Sequence, residues 1–228
     1  MVAVAHPIVY HPSRRVRQWS DSHQPPQDEP VQRPVQPPSQ MDPSDLIPVQ
    51  NQYVGFGDMV AATEVTQMLA RKSKDVRLRL ASGIEFADLR KAPTFLIGAI
   101  TNRWTMELQQ NWRFKFARRS ADIVITDTQR AGQDWAITSK EDGSSLEDYF
   151  LVCRIRHSFT GGLTIVAAGL KQFGTEAAGH LLADSDQLGA ILRKLPTGWE
   201  SRNLQFVLHA RVIGNTPAQP EIVASHVW

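Results

Sequence analysis

LRKAPTFLIGAITNRWTMEL, residues 89–108, reads as a strand, a glycine turn and a helix in that order. The apolar run 94–97 is too short for a helix and stops at Gly98. Thr101 and Asn102 follow, and Asn102 is a residue type that caps helices, here one running to about residue 110. Strand, glycine turn and helix N-terminus is how α/β proteins build a ligand-facing edge, because free amides and the positive end of the helix dipole gather there. A second unit of this kind spans 163–182. Its strand, 163–168, is the most apolar of the chain, and it passes through GLKQFG into a helix capped by Thr175.

Outward from these units the pattern continues. Tyr53 to Gly57 leads into Asp58, read as an N-cap, and Ala61, Ala62, Val65, Met68 and Leu69 recur at helical spacing to about residue 73. VRLRL, 76–80, alternates as a half-exposed strand does. Ser82-Gly83 is a turn, and 85–90 a short helical turn. Downstream, 113–116, 123–126, 149–155 and 204–213 read as strands, 132–145 as a polar loop, and 157–162 as a turn. Ser185 or Asp186 caps a further helix, and 222–227 returns as a hairpin partner of the long strand. Helices alternating with strands, closed by a hairpin, predict an α/β three-layer sandwich on a mixed, mostly parallel sheet with an antiparallel C-terminal edge.

The 228 residues suffice for one sizeable domain and a tail. Ten of the fourteen prolines fall before residue 49, with QPPQDEPVQRPVQPPSQMDP at 24–43. Such a segment buries too little apolar surface to offset chain entropy. Residues 1–50 are therefore expected to be a disordered Pro/Gln-rich tail or linker, either a spacer or the ligand of a protein partner, and 51–228 a single α/β domain. The formal charge of +2 carries no general attraction to nucleic acid or anionic membrane. Cys153, the one cysteine, excludes an internal disulfide and a Cys-rich zinc site, and its apolar setting YFLVCRI predicts a buried thiol. No apolar run approaches the roughly 18 residues of a spanning helix, and the start lacks the features of a signal peptide, so a cytoplasmic location is expected.

The candidate ligand-binding residues follow from the three helix starts. They are Gly57 and Asp58 at the first, Gly98, Thr101, Asn102 and Arg103 at the second, and Phe173, Gly174 and Thr175 at the third. Side by side, two such ends make a pocket for a small anionic or nucleotide-like ligand. Glycines at connections with ordinary caps account for the same residues. No GK[ST], GxGxxG or GxSxG pattern is present, so no cofactor or nucleophile is indicated, and His157, His180, His209 and His226 lack metal-ligand spacing. Asp88, Asp127 and Glu176 are the carboxylates nearest the turns, with His180 one helical turn past Glu176. Arg113, Lys115, Arg118 and Arg119 alternate with aromatics, which fits a strand with a buried aromatic face better than a single-strand nucleic-acid platform.

GDMVAATEV, SGIEFADLRKAPTFLIGAITNRWT, AAGLKQFGTEAAGHLL, GWESRNLQFVLHARVIG and the final SHVW together resemble an uncharacterised bacterial C-terminal α/β domain. That domain usually follows a winged-helix DNA-binding region, a membrane helix or a flexible linker. The resemblance covers about residues 53–228, and Ser82, Asp88, Gly98, Asn102, Trp104, Gly174 and Thr175 match its pattern. It implies a sensory or accessory module, adds Ser82 and Trp104 to the candidate residues, and implies no activity. The expected function is a non-enzymatic ligand-sensing or protein-interaction module. A hydrolase of a nucleotide or sugar-phosphate, with Asp88 or Glu176 as base, and a structural assembly subunit are the alternatives.

Overall fold

The computed structural model describes residues 1–25, 33–120, 122–140, 143–156, 158 and 160–228. They form two compact units, one of Met1–His6 with Val54–Trp228 and one of Pro7–Tyr53. In chain order the elements are β1 (Val2–Val4), β2 (Val9–Pro12), α1 (Arg14–Ser22), β3 (Leu46–Val49), α2 (Phe56–Arg71), β4 (Leu78–Leu80), α3 (Phe86–Lys91) and β5 (Thr94–Ile97). Then follow α4 (Arg103–Leu108), β6 (Phe114–Arg119), β7 (Asp122–Asp127), β8 (Asp134–Trp135), β9 (Glu147–Ile155) and β10 (Thr164–Gly169). The chain closes with α5 (Gln172–Ala183), α6 (Ser185–Leu192), β11 (Leu204–Ile213), β12 (Thr216–Pro217) and β13 (Glu221–Val227).

The larger unit is an α/β fold on a mixed sheet. Strands β4, β1, β5 and β10 run parallel, and β9, β11 and β13 continue the sheet antiparallel to its C-terminal edge. Alternate residues of each strand feed two cores. Val2, Val4, Ile97, Val152 and Ala167 face α2 and α5, while Ala3, Leu96, Cys153 and Val166 face α4 and a small antiparallel sheet of β6, β7 and β8. Helix α2 approaches α5 closely because small residues meet. A Cβ on Gly179 would lie 2.3 Å from Ala61 Cα, and one on Gly57 would lie 1.9 Å from the Gln172 carbonyl oxygen.

Two buried glutamines tie the small sheet down by imitating a strand. Gln205 Oε1 accepts from the amides of Arg113 and Phe114, and its Nε2 donates to the Phe114 carbonyl at 3.0 Å. Gln109 does the same for the amide and carbonyl of Phe116. The alternation in β6 resolves as expected: Phe114 and Phe116 are buried. Arg113 grips Asp127 with two bonds of 2.9 and 2.8 Å.

The expectation of a disordered 1–50 segment is corrected. Residues 2–4 are an inner strand, paired with residues 78–80 on one side and 95–97 on the other. MVAVA is continuously apolar because a parallel strand buried on both faces has no polar side. Pro7–Tyr53 is a unit of its own, in which β2 pairs with β3 and Ser13 caps α1. Its buried Asp45 accepts from Ser13 Oγ at 2.7 Å and pairs with Arg15, which holds that carboxyl well below the usual range. Of the proline-rich tract, residues 26–32 lie outside the described residues, as does His157. Three caps also move. Gly55 precedes α2, Lys171 precedes α5 and Asp184 caps α6, so Asp58 and Thr175 sit inside their helices rather than ahead of them. The polar loop 132–145 contains β8, whose buried Trp135 packs edge-on against Phe114. Among the described residues no helix is long and apolar enough to cross a membrane.

Candidate functional site

The carboxyl ends of β1, β5 and β10 lie together. The Ala5 amide donates to the Ile97 carbonyl and the Gly98 amide to the Ala167 carbonyl, each at 2.9 Å. The chain runs from β1 to β4 on one side and returns to β5 on the other, so the strand order reverses between β1 and β5. In open α/β sheets that reversal leaves a crevice beyond the strand ends, since the connections diverge there.

Gly98 stands at this point with φ +98°. A Cβ there would be 2.4 Å from Ala5 Cβ and 3.2 Å from Asp58 Oδ1, so the backbone conformation and the space both demand glycine. Asp58 is the third residue of α2. Its hydrogen-bonding partner is the Thr175 hydroxyl of α5, and burial pushes its carboxyl up to about 6 against that bond. Thr175 Oγ1 also accepts from the Gly169 amide at 3.0 Å, which fastens the end of β10 to the first turn of α5. Buried Phe173 lies in that same turn.

A residue outside the expected set completes the cluster. Asp148, fully buried in β9, reaches across to the amides of Lys171 and, at 2.6 Å, Gly174. It caps α5 from another strand, and burial pushes its carboxyl up to about 7 against those amides. A Cβ on Gly174 would sit 2.8 Å from the Asp148 carboxyl carbon, which is why glycine is needed there. The sequence signal was the acid pair Glu147-Asp148 at the start of a strongly apolar strand. His6, just past β1, was also missed; its Nδ1 is buried without a partner among the described residues.

Gly57, Asp58, Gly98, Gly174 and Thr175 are thus assembled, while the Asn102 group is not part of the same surface. Helix α4 packs on the opposite face of the sheet from α2 and α5. Asn102 is fully buried and spent: Nδ2 donates to the carbonyls of Ala3 and Ile97 at 3.1 and 3.0 Å, and Oδ1 accepts from the Trp104 amide at 3.1 Å. Arg103 donates to the Ile84 carbonyl and lies over the Trp104 ring. Thr101 is exposed, and Ser82 lies in the 3-10 turn Ala81–Gly83. None of the eleven expected residues lines any of four surface cavities of 440 to 540 Å³ among the described residues of this unit.

Two of the other candidate carboxylates, Asp88 and Asp127, are committed elsewhere. Asp88 caps α3 and pairs with Arg79 and Lys91, and Asp127 is held by Arg113 well below its ordinary range. Glu176 lies 3.6 Å from His180 Nε2, and His180 also faces Glu64 at 3.9 Å. Among the described residues no group of three His, Cys, Asp or Glu is arranged to hold a metal ion.

These features define an α/β protein in which a half-buried acid, its carboxyl pushed up to about 6, stands at the strand-order reversal. Comparison of the chain with protein-family models, curated proteins and solved structures finds no match.

The raised Asp58 carboxyl has a consequence for stability. An aspartate with folded value about 6 against about 4 unfolded favours folding fully below pH 4, and that contribution fades as pH rises through 6. Asp127 and Asp88 have lowered values and act with the opposite sign, so the difference between two chains is the quantity to follow. Relative to Asp58→Asn, the unsubstituted protein is expected to lose about 2 kcal/mol of stability between pH 4 and 7.5. Urea melts of both across that range test it; parallel profiles would mean that Asp58 ionises as freely folded as unfolded.

Proposed function

We propose that this protein is a non-enzymatic ligand-sensing module that recognises a small molecule beyond the carboxyl ends of β1, β5 and β10. The observation that carries the reading is the Asp58 carboxyl, lodged at the strand-order reversal beside Gly98 with the Thr175 hydroxyl as its partner and burial holding it near 6. Asp148 occupies the amides at the start of α5, and Asp58 sits over the first turn of α2. Carboxyl groups therefore stand where an anionic ligand was expected to meet helix amides. The ligand that suits them carries hydrogen-bond donors, as an amine, a polyol or a nucleoside base does, and needs no phosphate.

Recognition is favoured over catalysis by the lack of a working pair. The Thr175 hydroxyl is shared with the Gly169 amide, and Asp148 is spent on capping. A bacterial cytoplasmic setting belongs to the same proposal. It rests on the resemblance quoted above and on Cys153, which is buried with its thiol pushed up to about 12.

Thermal unfolding of the full chain against amines, polyols, nucleosides, nucleotides and sugar phosphates tests the reading. A ligand at a hundred times its dissociation constant adds about 2.7 kcal/mol, or roughly 5–10 °C for a chain of this length. The expected result is a shift with a donor-bearing ligand that is lost in Asp58→Asn and weakens below pH 6. A shift produced by phosphates and kept in Asp58→Asn would overturn it.

A further inference from the structure

The open edge of the sheet has features that the ligand-sensing reading does not use. Among the described residues, strand β4 is the last strand on its side of the sheet and pairs only with β1. The Val2 amide donates to the Arg77 carbonyl at 2.8 Å, with Val2 opposite Leu78 in the ladder. In a parallel ladder the bonded residue engages the neighbours of its opposite number. Arg77 and Arg79 therefore turn their backbone groups toward β1, and Leu78 turns its N–H and C=O outward, where no strand of the described residues follows. A buried strand would have these groups paired.

Beside this edge runs a groove of about 440 Å³ between β4 and α2, with Val4, Val54, Met59, Thr66, Leu78 and Leu80 among its lining. Leu78 is 60% exposed and Met59 50%, and Thr66 Oγ1 is buried without a partner among the described residues. The residues flanking the edge are strongly basic. Arg71, Lys72, Lys74, Arg77 and Arg79 are all exposed, Asp75 is the single acid among residues 71–80, and only Arg79 of the five makes an ion pair among the described residues.

We propose that β4 and its groove take up an extended, acidic segment of a partner protein as an additional strand. Outward backbone groups select an extended chain, because only a strand matches their spacing. The groove on one face of β4 takes alternate apolar side chains, since side chains of a strand alternate at period two. The unpaired cations select acidic residues at the positions between. The same cations repel a second copy of this edge, so the occupant is not another molecule of this chain.

Selection of a displayed random-peptide library on the full chain, followed by fluorescence anisotropy with the enriched peptides, tests the proposal. The probe variants are Leu78→Pro, which removes the outward N–H and leaves the bonds of Arg77 and Arg79 to β1, and the charge reversal Lys74→Glu with Arg77→Glu. The expected result is enrichment of peptides alternating apolar with acidic residues. Their affinity should fall at least tenfold in each variant and weaken with added salt, while the melting temperature of each variant shows that it is folded. If folded Leu78→Pro binds the enriched peptides undiminished, or no such pattern is enriched, the proposal fails. Binding of single-stranded DNA through the same cations, with no peptide enriched, would assign the edge to nucleic acid instead.

Discussion

A chain beginning at Pro7 is expected not to fold. The six residues removed contain β1, the inner strand that joins β4 to β5, and Val2, Ala3, Val4 and Ala5 are all buried. Burial of each valine side chain contributes about 1.5–3 kcal/mol. To that are added the ladder bonds on both sides, each about 1 kcal/mol, and the opening of the α2 face that β1 covers. The sum reaches the 5–15 kcal/mol that typically holds a domain together. Far-UV circular dichroism and urea melts of the truncated and full chains decide the matter. Val4→Asp offers the same test at full length, since it buries a charge in the inner strand and should cost several kcal/mol. A cooperative transition in the truncated chain at the original midpoint would return these residues to the status of a dispensable tail.

Asn102→Ala is expected to cost about 3–5 kcal/mol. The amide side chain satisfies three buried backbone groups, the carbonyls of Ala3 and Ile97 and the amide of Trp104. Alanine leaves the Trp104 amide without this partner, at about 1–3 kcal/mol, and takes one bond of about 1 kcal/mol from each of the two carbonyls, of which that of Ile97 keeps the Ala5 amide. Asn102→Asp discriminates between this account and simple capping. Aspartate keeps the acceptor for Trp104 but turns an oxygen toward two carbonyls, so at neutral pH it should be at least as damaging as alanine, and acid should restore part of the loss by giving the carboxyl a proton to donate. If Asn102→Asp melts like the unsubstituted protein, Asn102 is only a helix cap. Asn102→Ala, which adds no titrating group, should leave the pH dependence assigned to Asp58 unaltered, because Asn102 serves the opposite face of the sheet.

Strand β11 shows how much was legible locally. Its predicted and observed limits coincide at Leu204–Ile213, because ten residues of high β-propensity between turn signals leave few alternatives. Strand β5 behaves likewise, and Ala61, Ala62 and Val65 mark the buried face of α2 as their spacing predicts. The cluster at the strand ends was legible in part. Gly57, Asp58, Gly98, Gly174 and Thr175 stood out as residues at turns. What they touch did not, because Asp148 lies 26 positions before Gly174 and nothing nearby in the chain records that approach.

Asn102 carries the same lesson in a sharper form. Its identity as a cap was readable from its neighbours, and it does accept from the Trp104 amide. Its larger role, clamping β1 to β5 through Ala3, joins residues 99 positions apart. Gln205 likewise reads as a polar residue in an apolar strand, and only the fold shows it completing the backbone bonds of Phe114.

By itself, then, the amino-acid sequence determined the α/β class, the order of most strands and helices after residue 54, and the glycines at the turns, because periodicity and turn chemistry act within a few residues. The tertiary structure alone decided that MVAVA is an inner strand and that burial raises the carboxyls of Asp58 and Asp148 at the helix ends. It also decided that Asn102 serves the sheet and that β4 ends the sheet among the described residues. Each of these depends on which distant segments come to lie side by side, and on how much water their contact excludes.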